Sequence, residues 1–125
     1  MTSEERIYTV EEANGLLSDL RERLPRIREA RQRLLQSAEV VKERVASDGG
    51  GASGGRDYWE AQSTLRAEIE RLAEGNIVLR DPETGLLDFP GEREGRRVWL
   101  CWRLGEERVA HWHELDTGFI GRQPL

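Results

Sequence analysis

The chain is short of several things that would define a function class. It has one cysteine, Cys101, among 125 residues. An internal disulfide framework is therefore excluded, and a reducing, cytoplasmic setting is expected. No run of apolar residues approaches the ~18 that a membrane-spanning helix needs, so no membrane partner is expected. Met1 to Arg6 are charged and polar, unlike a signal peptide. Lysine occurs once, at Lys42, and histidine twice, at His111 and His113. Lys+Arg total 19 against 24 Asp+Glu, a net charge of −5, which disfavours a nucleic-acid binder. Hydrophobic residues make up 37% of the chain and charged residues 34%, with a mean hydropathy of −0.70. That apolar share is low, and the length suits one domain spanning 1–125.

What is present begins with a helix signal. Thr9-Val10-Glu11-Glu12 forms a capping box, in which the Thr9 hydroxyl accepts from the Glu12 amide and the Glu12 carboxylate reaches back. Tyr8 stands where a hydrophobic staple would start. Beyond the cap, Leu17, Leu20, Leu24, Ile27, Arg31, Leu34, Ala38, Val41 and Val45 step alternately by three and four. This coiled-coil-like heptad pattern predicts a helix over about 10–47 that packs on another helix. Such a helix would be about 57 Å long. Pro25 interrupts it without breaking the phase, which predicts a kink rather than two helices.

Residues 48–55 are rich in glycine and read as a flexible connector. The segment lacks the Gly-Lys-Ser/Thr ending and the preceding strand of a phosphate-binding loop. A second helix is expected over about 57–74, with Tyr58, Gln62, Leu65, Ile69 and Leu72 on one face and Gly75-Asn76 as its C-cap. At about 27 Å it covers only half of the first helix, so either the C-terminal part or a second chain is expected to cover the rest.

From Ile77 the pattern takes a strand period. Ile77 to Arg80 and Leu86 to Phe89 flank a turn at Asp81-Pro82-Glu83-Thr84-Gly85. Pro90 to Gly95 reads as loop. Arg97 to Leu104 and Val109 to Leu115 flank Gly105-Glu106 as a two-residue hairpin turn. Residues 117–125 read as an extended tail. The expected fold is α+β: a long, heptad-patterned antiparallel helical hairpin followed by a small antiparallel four-strand meander over 77–125.

Four stretches carry a family resemblance. They are Tyr8 to Asn14, Asp81 to Pro90, Val98 to Gly105, and Trp112 to Asp116 with Gly118 to Pro124. Together and in this order they resemble the bacterial family catalogued as domain of unknown function 2203. The resemblance covers nearly the whole chain apart from the glycine connector. It implies a small bacterial protein and supplies no catalytic set.

Candidate chemistry is sparse. His111 and His113 lie two apart on an expected strand, so both rings share a face with alpha carbons about 6.7 Å apart. They could hold a divalent transition metal such as zinc, with Asp116, Glu114 or Asp88 as a further acidic ligand, Asp116 being the first choice. The blander reading makes both histidines hydrogen-bonded core residues beside Val109 and Leu115. The hairpin turn at 105–106 pairs residues whose numbers sum to 211. That sets Trp99 against Trp112 and Cys101 against Ala110, with Leu100 against His111 on the other face. Both faces are apolar, so one is expected on the helices and the other on a partner or, alternatively, around a ligand. Cys101 reads as an inert buried thiol. Asp88 and Asp116 could form an acid–base pair, though nothing in the sequence sets their separation.

The arginines from Arg21 to Arg33 do not form one stripe and read as an ion-paired, solvated face. Arg31 falls inside the seam, where a charge fixes register or meets a buried acid such as Glu68 or a symmetry mate. The leading expectation is a non-enzymatic oligomerisation or interaction module, a homodimer or higher oligomer. Its expected interface is Leu17, Leu20, Leu24, Ile27, Arg31, Trp99 and Trp112. A metal protein built on His111 and His113, and an arginine-mediated nucleic-acid or anion binder, are the alternatives.

Overall fold

The computed structural model describes residues 5–48 and 55–125, with backbone only for 39–48. The connector at 49–54 and the Val41 and Val45 side chains lie outside the described residues. The helices are α1 (Val10–Gly15), α2 (Leu17–Asp48) and α3 (Gly55–Glu74). The sheet strands are β1 (Val78–Asp81), β2 (Leu86–Arg93), β3 (Arg96–Arg103), β4 (His111–His113) and β5 (Gln123–Pro124), in that spatial order and antiparallel throughout. A 3-10 turn at Phe119–Gly121 precedes β5. The fold is α+β, and the described residues form a five-stranded sheet where four strands were expected.

The capping box forms as the sequence requires. Glu12 N donates to Thr9 Oγ1 at 3.0 Å, and Thr9 N donates to Glu12 Oε1 at 2.9 Å. The first helix is divided at Leu16, whose amide bonds to Ala13 at 3.1 Å in a tighter turn. α2 then runs unbroken through Pro25, whose ring faces solvent. At the other end, α3 closes with a Schellman arrangement. Ile77 N donates to Leu72 O and Asn76 N to Ala73 O, with Asn76 at φ 60°. Tyr8 does more than staple one helix. Its hydroxyl donates to Gly75 O at 2.7 Å, its amide donates to Pro90 O, and its ring meets Phe89 edge-on.

Two strand expectations change. β2 continues through Pro90 and Gly91, and the turn is Glu94-Gly95, both at positive φ as a tight hairpin requires. Pro90 is tolerated because β1 pairs with β2 only as far as Asp88, so no β1 residue calls on its missing amide. The β3–β4 connection is a longer loop, not a two-residue turn. Its register pairs Trp99 with His113 and Cys101 with His111, so numbers sum to 212 instead of 211. A one-residue slip moves every side chain of one strand to the other face. Trp112 therefore leaves the face of Trp99, and both histidines join Trp99 and Cys101. The residues read as a tail supply β5, pairing His111 with Pro124 and Trp112 with Gln123.

One sheet face packs on the helices. Leu87, Phe89, Val98, Leu100, Trp102 and Trp112 meet Leu17, Leu20, Leu24 and Ile27 in one core. These four helix residues are 0–2% exposed within the single chain. The sheet, with Leu72 of α3, covers them within one chain, which is the C-terminal cover that the sequence offered beside a second chain. Trp112 likewise belongs to this core. The 3.6-residue stripe identified the buried face and left its occupant open between the C-terminal part and a second chain.

The arginines also sort differently. Arg31 donates to Glu83 in the β1–β2 turn at 2.6 Å, not to Glu68. Glu68 instead holds Arg23 at 2.6 Å, and Asp19 holds it at 2.7 Å. Arg23, expected on the solvated flank, is buried between these two acids. Arg31→Leu should then change stability by less than about 1 kcal/mol, since its partner is half-exposed. Arg23→Leu should cost about 2–3 kcal/mol by stranding Glu68. Urea denaturation of both variants checks this, and equal losses would overturn the assignment.

Candidate metal centre

The turn between β1 and β2 fixes one end of the site. Asp81 accepts from the Glu83 amide and the Thr84 hydroxyl, which holds its own carboxyl below the usual carboxylate range. Gly85 closes the turn at φ +72°, and a Cβ there would fall 2.7 Å from Leu104. β2 then leaves this turn with Asp88 on the sheet face away from the helices.

Asp88 pairs across to Cys101 on β3, and Cys101 pairs onward to His111 on β4. His113 lies one alternate position along β4. Asp88, Cys101 and His113 are 1–2% exposed, and their ligand-type atoms all lie within 4.8 Å of one another. His113 Nε2 is 2.9 Å from Asp88 Oδ2, and Arg80 Nε reaches the same oxygen at 2.8 Å. Asp88 Oδ1 is buried and has no hydrogen-bond partner among the described residues.

The other ring nitrogen decides the tautomer. His113 Nδ1 lies 2.7 Å from the Glu114 backbone carbonyl, which can only accept. Nδ1 therefore carries a proton, and in the neutral ring the Nε2 lone pair points at Asp88. Two acceptors face each other there unless a proton or a cation stands between them. Burial, then the charge of Asp88, pushes the Cys101 thiol up to about 12, so it is no free nucleophile.

His111 and Asp116 sit differently. His111 is half-buried on the same face, and its Nδ1 accepts from Arg122 Nη2 at 2.7 Å. Asp116 is exposed in the turn after β4, outside the cluster, as is Leu115. Glu114 contributes its carbonyl to His113 and its carboxylate to Arg96. The sequence reading named Asp88 only as a possible acid and set Cys101 aside. The missed signal was Glu94-Gly95: a two-residue turn there places Asp88 opposite Cys101.

Arginines crowd the rest of this face. Trp99 lies between Arg80 and Arg97, at 5.0 and 4.3 Å from its ring centre. Acids neutralise most of them: Asp88 on Arg80, Glu5 on Arg97 and Glu106 on Arg122, while Glu114 holds Arg96, which alternates onto the other side of β3. On α2, Arg28 and Arg31 share Glu83, and Arg33 reaches Asp57. Paired arginines of this kind offer little to a polyanion.

A family model described as an uncharacterized conserved protein, DUF2203, matches residues 6–125. No curated protein and no solved structure matches the chain.

Proposed function

Because the chain belongs to the DUF2203 family of uncharacterised proteins, which brings no activity with it, we propose a function from the site alone: the outer sheet face binds a zinc-like divalent ion through Asp88, Cys101 and His113. The observation that carries this reading is the Glu114 carbonyl on His113 Nδ1. Metal-bound histidines commonly donate their second N–H in this way, which leaves Nε2 free to ligate. Asp88 Oδ1, with no donor of its own, adds a carboxylate, while Arg80 stays on Oδ2 as an outer support. Thiolate, imidazole and carboxylate together suit zinc, cobalt or iron(II) over magnesium or calcium. Ligands about 2.0–2.3 Å from a tetrahedral ion stand roughly 3.4–3.6 Å apart. The cluster needs to draw in by about 1 Å at its widest.

The three residues are almost wholly buried, which favours an ion that stabilises the sheet over one that turns over substrate. Calorimetry on protein purified without a His-tag tests this. Zinc should bind tighter than ~10 μM, about 6.8 kcal/mol, and raise the melting temperature. Asp88→Ala, Cys101→Ser and His113→Gln should each weaken binding at least 100-fold, whereas Asp116→Asn should leave it unchanged. Wild-type affinity weaker than ~10 μM for zinc and cobalt alike would end the proposal.

A second reading, a protein-contact module, has one observation in its favour. Trp99 lines an apolar cavity of about 400 Å³ with Ile69, Leu72, Ile77 and Leu79, beside the edge strand β1. An edge strand next to such a groove is a ready docking place. Light scattering at micromolar concentration should show a homodimer that Trp99→Ala dissociates. A clean monomer would refute self-association through this groove.

A further inference from the structure

We infer that His111 is an exchangeable fourth ligand of the Asp88–Cys101–His113 site, held away from it by Arg122, so that the C-terminal strap responds to metal occupancy. The inference rests on the metal reading above and adds its regulation. Three donors fall one short of the four that closed zinc sites use. His111 is placed to complete the set, because it stands directly opposite Cys101 on the same sheet face. Opposed residues of an antiparallel pair have beta carbons about 4.5–5.5 Å apart.

What keeps His111 off the cluster is visible. Arginine has only donors, so the 2.7 Å contact from Arg122 Nη2 is accepted by a bare His111 Nδ1. The lone pair a metal would use is spent on Arg122. Arg122 does not depend on that contact. The same Nη2 reaches both Glu106 oxygens, at 2.9 and 2.8 Å, and its ring-side neighbour is Phe119. Glu106 is itself anchored, since its Oε1 accepts from the Arg103 amide at 2.7 Å. Arg122 can release His111 and remain paired.

The release would be felt in the strap. Arg122 lies between the 3-10 turn and β5, and β5 is only two residues long, paired with His111 and Trp112. Such a short element belongs to the weakly held part of a fold. An ion that takes His111 removes one tie between strap and sheet, while Arg122–Glu106 and the Leu125–Ala110 backbone bond persist.

The test uses cobalt(II) as the probe on the full chain, with nitrogen NMR of labelled histidine beside it. Wild type should show a thiolate-to-cobalt charge-transfer band and the intense visible bands of a four-coordinate ion. His111→Gln should keep the thiolate band, lose intensity in the visible bands and bind more weakly. Arg122→Gln should bind about ten-fold tighter, the equivalent of one charge-assisted hydrogen bond. With zinc, the NMR signals of both histidines should move to metal-bound positions, a readout that needs no variant to fold. Movement of His113 alone, or an unchanged spectrum in His111→Gln, overturns the inference and leaves the three-residue site standing. Absence of any thiolate band in wild type overturns the metal reading itself.

Discussion

Trp102→Ala is expected to destabilise the fold by about 3–5 kcal/mol, the usual range for truncating a fully buried large aromatic. Trp102 has no exposed surface and sits on the helix-facing side of β3, opposite Leu87. It joins the core that Leu20, Leu24 and Ile27 share with the sheet. Its indole N–H donates to Glu106 O at 3.0 Å, so the loop after β3 loses an anchor along with the core volume. That loop carries Glu106, and through it Arg122. The damage should therefore spread from the core to the strap. Urea denaturation should show a lower midpoint with an unchanged slope, and a melting temperature lower by roughly 10–20 °C. Trp102→Phe should lose clearly less, because it keeps most of the apolar volume. A loss under about 1.5 kcal/mol for the alanine variant would mean that the sheet and α2 are not packed through this residue.

Asp88→Ala, measured with a chelator present, should cost about 3–4 kcal/mol. One carboxylate oxygen accepts from Arg80 Nε and stands 2.9 Å from His113 Nε2, and two of these three side chains are buried. Arg80 is part-exposed and can turn to water, which puts the cost toward the lower end of the range. His113 cannot, so its ring loses its partner inside the sheet face. Asp88→Asn separates charge from shape. Arg80 Nε and His113 Nε2 meet the same oxygen, so an amide group in that place satisfies only one of them, and this variant should lose about 1–2 kcal/mol, less than the alanine variant. The double variant Asp88→Ala with His113→Ala should lose less than the two single losses added together. Full additivity would show that the pair does not act as a unit.

The relation between sequence and structure turns on which interactions are local. The Thr9 capping box, the Asn76 helix end and the Asp81 to Gly85 turn were all legible. Each is settled within a few residues by hydrogen bonds that neighbouring side chains supply or by a positive φ. The buried stripe of α2 was legible for the same reason, since helix geometry alone puts Leu17, Leu20, Leu24 and Ile27 on one side. Periodicity says which side is dry but not what dries it, and of the two covers left open, the C-terminal part or a second chain, the C-terminal sheet does so beside α3. Membership of the family was also readable from the order of its short motifs.

The candidate centre was not legible, because it depends on two strand registers at once. Asp88, Cys101 and His113 are brought together by the β2–β3 pairing that Glu94-Gly95 sets and the β3–β4 pairing that the loop before His111 sets. Neither connection carries a strong turn signal, and Glu94 takes a positive φ that its residue type does not advertise. Strand side chains alternate with a period of two, so an error of one residue in a loop exchanges the faces of a whole strand. The sequence alone determined that two histidines share a face. Only the tertiary structure decided that this face is the one holding Cys101 and Asp88, because the register that the two connections take is the one that packs Val98, Leu100, Trp102 and Trp112 against the helices.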